Sequence, residues 1–185
     1  MAKFLDLVNE RVVVYDGATG TFLQTLDLTA DDFGGAELEG CNEYLAITRP
    51  DVVASFHDAF LSVGVDVIET DTFGGLPVTL GEYGLADRAH EINLAAARTA
   101  REVADGHSTP DRPRFVAGSM GPGTKFPSLG HIRYAELRDG FEVQAAALIE
   151  GGVDLLIIET MFDLLSVKAA MNGARRAMAT VGREV

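Results

Sequence analysis

The sequence predicts an α/β protein, a parallel sheet covered by helices and organised as four successive βα units. Three observations predict it. Short, near-continuously apolar runs, of the kind that fill a strand buried on both faces, alternate with longer segments whose apolar residues recur every three or four positions. Each run breaks abruptly into a turn carrying carboxylates, hydroxyls or glycines. Finally, Gly64-Val65-Asp66-Val67-Ile68-Glu69-Thr70 returns two units later, with a two-residue insertion, as Gly152-Val153-Asp154-Leu155-Leu156-Ile157-Ile158-Glu159-Thr160. Like units at a regular interval favour a (β/α) barrel over a doubly wound nucleotide-binding sheet.

The first buried strand is expected at 12–15, three valines and a tyrosine, breaking into the turn Asp16-Gly17-Ala18-Thr19-Gly20-Thr21. Residues 22–40, with Asp31-Asp32 and Gly34-Gly35, read as a loop. A helix follows, with Thr48 as candidate N-cap, Pro50 in its first turn and Asp51 as third helical residue; Val52, Val53, Phe56, Phe60 and Val63 keep helical spacing up to Gly64 as C-cap. The second strand, 65–70, ends in Glu69-Thr70-Asp71-Thr72 before Gly74-Gly75. An alanine-rich helix at 85–104 places Leu85, Ala89, Ile92, Ala96, Thr99 and Val103 on one face. After the polar loop 105–114 comes a third strand, 115–119, with the turn Met120-Gly121-Pro122-Gly123-Thr124. The third helix, 135–150, stops at Gly151-Gly152, and the fourth strand, 154–158, ends at Glu159-Thr160. The last helix, 163–181, spaces Leu164, Val167, Met171, Ala174, Met178 and Val181 by threes and fours, so its methionines read as core packing.

With 47% hydrophobic and 23% charged residues, the 185-residue chain has apolar content for one well-packed domain. A formal charge of −13 argues against nucleic acid, which draws on clustered Lys and Arg, and reads as a source of solubility. No run approaches the roughly 18 apolar residues of a membrane span. Lys3, Asp6 and Glu10 do not fit a secretory signal, so a cytoplasmic location is expected. The one cysteine, Cys41, excludes an internal disulfide framework and any multi-cysteine metal site within the chain.

In parallel α/β folds the loops after the strands form one face, where ligands bind. That mouth collects Asp16, Glu69, Thr70, Asp71, Thr72, Ser119 and Glu159, beside glycines that leave backbone N–H groups accessible. Carboxylates with exposed amides suit an α-amino acid, acids for its ammonium and turn amides for its carboxylate. A phosphate cradle is the weaker reading, since the turn at Gly17 to Thr21 lacks the P-loop lysine and Asp16 would repel phosphate. His57, His90, His107 and His131 follow no metal-ligand spacing and read as surface or packing residues, and Cys41 as a small buried residue.

Five blocks in order resemble the N-terminal homocysteine-binding domain of cobalamin-dependent methionine synthases. They are Asp16-Gly17-Ala18-Thr19-Gly20-Thr21; Gly40-Cys41-Asn42-Glu43-Tyr44-Leu45 with Thr48-Arg49-Pro50-Asp51; Ile68-Glu69-Thr70-Asp71-Thr72-Phe73-Gly74; Val116-Ala117-Gly118-Ser119-Met120-Gly121-Pro122; and the 152–160 run quoted above. The resemblance implies a (β/α)8 TIM barrel in which zinc makes the homocysteine thiol a thiolate. That thiolate takes a methyl group from methylcobalamin, which methyltetrahydrofolate recharges on other domains of the same polypeptide. Carried over by position, Asp16 and Glu159 hold the substrate ammonium, with Gly17, Ala18 and Thr19 near its carboxylate and Glu69, Thr70 and Ser119 completing the substrate site. Asp71 departs from the asparagine frequent at its place and is given no role.

An eight-unit barrel takes about 250 residues, so 1–185 is expected to be the first four units, the N-terminal half of the domain. The family's zinc-binding cysteines are expected beyond residue 185, leaving no metal ligand and no turnover in this stretch alone. Its open sheet edges are expected to meet the rest of the barrel or to self-associate. Two other readings stay open: a single-domain enzyme using betaine or S-methylmethionine as donor, and a non-catalytic half-barrel binding module.

Overall fold

The computed structural model describes residues 4–185. Three parallel strands, β1 (Val67–Glu69), β2 (Phe115–Met120) and β3 (Leu155–Ile158), lie in that order. Val67 pairs with Phe115, and Ala117 with Leu155. The helices are α1 (Phe4–Glu10), α2 (Thr19–Leu23), α3 (Leu45–Thr48), α4 (Pro50–Val63), α5 (Pro77–Leu80), α6 (Ala89–His107), α7 (Tyr134–Glu150) and α8 (Leu164–Val181). α4 packs on α6, α6 on α7 and α7 on α8. No helix among the described residues is long and apolar enough to cross a membrane.

The alternation of the strands sorts the core into two layers. Ile68, Val116 and Met120 face the helices, where they meet Leu61, Ala97, Phe141 and Leu148. Val67, Phe115 and Ala117 face the other way and are covered by Phe4, Leu7, Val13 and Tyr15. α1 therefore caps the concave face, with the Phe4 ring edge-on to Phe115 at 5.6 Å. Its seven residues carry no helical signal of their own, and tertiary contacts hold them helical.

The expected first strand is only partly a strand. Among residues 12–15, one bridge forms, Tyr15 to Val67, and Val12 and Val14 are 84% and 51% exposed. The reason is local: the Val14 N–H donates to the Asp66 carboxylate (3.0 Å) where a ladder bond would otherwise run, and no strand pairs on its far side among the described residues. β3, at the other edge, is likewise half-buried throughout and not fully covered.

Helix caps and faces also shift. Thr48 does not cap α4; it ends α3, its hydroxyl donating to the Tyr44 carbonyl, and Arg49 stands at the N-cap position and pairs with Asp51. The α6 segment starts four residues late, after a single 3₁₀ turn, and runs to His107. α8 buries Ser166, Ala169, Ala170, Gly173, Ala174 and Ala177, whereas Leu164 and Met171 of the expected stripe are 79% and 42% exposed. Small residues win because α8 lies so close to α7 that a Cβ on Gly173 would sit 2.7 Å from the Arg138 carbonyl oxygen.

The echo in the sequence is one device used twice. Gly64 (φ 105°) and Gly152 (φ 99°) let each helix end turn back into the sheet. The aspartate two residues later then reaches to the preceding strand. Asp66 accepts from the Val14 N–H and takes a bidentate pair from Arg11 (2.6 and 2.8 Å); Asp154 accepts from the Val116 N–H and from Arg101, both at 2.8 Å. Asp66 is the more deeply placed, with the buried Arg114 guanidinium 3.7 Å away. Removing Asp66 leaves the buried Arg114 guanidinium without its nearby carboxylate and the Val14 N–H without its acceptor. Asp66→Ala is therefore expected to cost about 2–4 kcal/mol and Asp154→Ala less, as read from urea unfolding. The reverse order would contradict the role assigned to Asp66.

Candidate functional site

At the C-terminal ends of the strands a cavity of about 390 Å³ opens, and all eight residues expected at the substrate site line it. The end of the 12–16 segment supplies Asp16, whose own N–H donates to the Val67 carbonyl (3.0 Å) and whose carboxylate accepts from the Glu69 N–H (3.0 Å). Gly17, Ala18 and Thr19 form the turn into α2, and Ala18 has no side-chain cap to offer its amides. Glu69 ends β1 and Thr70 follows it; Ser119 lies near the end of β2. Glu159 follows β3, and its Oε1 accepts from the Ser119 hydroxyl at 2.5 Å.

Asn42, Glu43, Asp71 and Phe73 also line the cavity. Glu43 comes from the short stretch before α3, where no periodicity marks it. Its position inside the run Gly40-Cys41-Asn42-Glu43-Tyr44-Leu45 was the available signal. Its Oε1 accepts from the Gly74 N–H (2.7 Å), and a Cβ on Gly74 would lie 2.5 Å from that same oxygen. Asp71 is buried in the wall, and its Oδ2 has no hydrogen-bond partner.

Five carboxyl groups, those of Asp16, Glu43, Glu69, Asp71 and Glu159, thus surround one cavity with no Lys, Arg or His among the described residues of its lining. Burial penalises their charged forms. Asp16 is pushed up to about 7 by burial, with Glu69 and Glu159 adding repulsion against the amide bond from Glu69. Glu69 is pushed up to about 7 by burial and by the facing Glu159 carboxyl. Asp71 is raised by burial and by Glu43, which burial raises in turn. A cavity in this state favours a ligand that brings positive charge and repels phosphates.

Cys41 is fully buried among Leu80, Leu85, Ala89 and Ile92, and burial pushes its thiol up, away from the thiolate a metal requires. Among the described residues no group of three or more His, Cys, Asp or Glu is arranged to hold a metal ion. The chain's own residues do not fit a zinc site. Of the histidines, His57 is fully buried beside Phe56, and His90 and His107 pair with Glu150 and Asp58.

Comparison with known proteins gives a consistent answer. The family model for homocysteine S-methyltransferase matches residues 13–182. The methionine synthase of Mycobacterium tuberculosis is 50% identical over 181 residues and that of Mycobacterium leprae 48%; in both, the match covers 98% of this chain and 15% of the relative. The chain thus spans about 15% of the length of the curated relatives it matches. The oxidised form of the homocysteine methyltransferase MmuM from Escherichia coli aligns with a TM-score of 0.75 at 18% identity, over 96% of this chain and 61% of its own. At that identity the likeness bears on the fold.

The carboxyl cluster sets a direction for stability against pH. A carboxyl whose pKa is raised in the fold binds a proton that the unfolded chain has already released, so stability falls as pH rises from about 4 through about 7. Asp16→Asn is expected to flatten that fall, stabilising the chain on the order of 1–3 kcal/mol more at pH 8 than at pH 5. Parallel urea-unfolding profiles for the parent and Asp16→Asn would rule this out.

Proposed function

Because the chain belongs to the homocysteine S-methyltransferase family, we propose that its carboxylate-lined mouth grips homocysteine for a methyl transfer that yields methionine. The observation that carries this reading is the pairing of Asp16 with a Glu159 held by Ser119, across a cavity lined without any cationic side chain. The ligand ammonium sits between Asp16 and Glu159, its charge offsetting the burial and repulsion that raise Asp16. Its carboxylate lies against the backbone of the Gly17 to Thr19 turn. Glu69 and Thr70 close the floor, and the thiol is left pointing out of this half of the site.

Zinc held by residues outside 1–185 activates the thiol in this reading; among the described residues no group of three or more His, Cys, Asp or Glu is arranged to hold a metal ion. In this reading the chain is the first half of a (β/α)8 TIM barrel within a longer cytoplasmic polypeptide of the methionine synthase type. The missing strands pair on the free edge of β3, where Phe162 and Leu164 are 79% exposed. The methyl group comes from methylcobalamin, recharged from methyltetrahydrofolate on further domains. The 50% and 48% identities to methionine synthases support this donor over betaine or S-methylmethionine.

In the full-length polypeptide, Asp16→Asn and Glu159→Gln are each expected to weaken homocysteine by about 10- to 100-fold, the worth of one charge-assisted contact, with zinc content unchanged. Homocysteine KM and bound zinc measured on the same preparations check this; unaltered KM in both variants would refute the ammonium site.

A further inference from the structure

Gln144 is a fully buried amide in a stripe of α7 whose other inward residues, Leu137, Phe141, Ala145 and Leu148, are apolar. A buried amide in such a stripe is costly unless its hydrogen bonds are used. Its Nε2 donates to the Thr72 carbonyl at 2.7 Å and, more weakly, to the Ser119 carbonyl at 3.4 Å, while its Oε1 has no partner. Those two carbonyls lie on the two chain segments that leave β1 and end β2 at the mouth.

Above Gln144 the same segments close a ring. The Ser119 N–H donates to the Thr70 hydroxyl oxygen (3.0 Å), the Thr70 and Thr72 hydroxyls meet at 2.6 Å, and the Thr72 hydroxyl donates to the Ser119 carbonyl (2.8 Å). Since the Thr72 proton is committed to that carbonyl, Thr70 donates to Thr72, and the ring begins and ends on the Ser119 backbone. This fixes the base from which the Ser119 hydroxyl reaches Glu159. Glu159 itself needs outside support: it follows a half-buried edge strand and precedes Thr160, a non-glycine residue at φ 55°.

We propose that Gln144 is a positioning residue for the substrate ammonium: from behind the sheet it locks the Thr70–Thr72–Ser119 ring, and the ring orients Glu159 through the Ser119 hydroxyl. The inference rests on the reading of Glu159 as an ammonium partner.

The test is a double-mutant cycle on homocysteine Kd in the full-length polypeptide. Gln144→Met, which keeps the packing length and removes the amide, is expected to raise Kd about 3- to 10-fold, and by less than about 2-fold in the Glu159→Gln background. Thr72→Val breaks the ring at nearly constant shape, should give the same non-additive loss, and decides the matter if Gln144→Met does not fold. Equal losses in both backgrounds would overturn the proposal, since damage to the fold at large does not pass through Glu159. An unchanged Kd in Gln144→Met and Thr72→Val, where Glu159→Gln does weaken binding, would overturn it and spare the functional reading. No effect of Glu159→Gln would remove both.

Discussion

The site hangs on the reach of a single carboxylate from β1 to the chain before it. Residues 12–16 have one bridge to the sheet, with the Val14 carbonyl accepting from the Asp66 and Val67 N–H groups and the Asp16 N–H donating to the Val67 carbonyl. Asp66 supplies the rest, holding the Arg11 guanidinium and the Val14 N–H from the far end of the strand. With the segment pinned there, the Asp16 N–H meets the Val67 carbonyl and its carboxylate lands on the Glu69 amide. The end of the sheet opposite the mouth therefore determines the geometry of the mouth. Asp154 does the same for β2 and β3, so the two halves of the described sheet are fastened by one rule.

Against this stable end stands a strained one. Five acids around one cavity repel one another, and the fold tolerates them by leaving some protonated and by supplying amides and hydroxyls to others. Neutralising Asp16 or Glu69 would ease the fold, which is the pattern expected where a binding site and stability pull in opposite directions. The cavity is complementary to a cation that none of its described lining residues provides. That vacancy of charge, with no cationic side chain in the lining, is its most specific chemical feature.

How much of this was legible in the sequence depends on whether the deciding force is local. Gly64 and Pro50 punctuate α4 as expected, because left-handed caps and fixed φ angles act within one turn. The mouth residues assemble, apart from Thr72, which is buried outside the cavity lining, because each ends or follows a strand or the 12–15 segment, and strand ends of a parallel sheet converge. α1 was not legible, since its helicity comes from covering Tyr15 and, far away in sequence, Phe115. The α8 stripe held at Ala174, Met178 and Val181 and failed at Leu164 and Met171 for a related reason. Periodicity cannot tell a face buried by large side chains from one buried by small ones, and close approach to α7 selected the small. Thr48 looked like a cap yet was already spent on α3. Glu43 entered the site through a hydrogen bond to Gly74, a contact that spans 31 residues and leaves no periodic trace.

The serial packing of α4 on α6, α6 on α7 and α7 on α8 bears on how the chain is made. Each unit docks mainly on the one synthesised before it, so loop closures stay short and every emerging helix finds its partner already in place. Assembly can then keep pace with the ribosome, from the amino end onward. The last described unit carries β3, an edge whose outer side faces no neighbour among the described residues, beside the exposed Phe162 and Leu164. During synthesis that edge is the surface for which a chaperone, or a wrong strand, would compete.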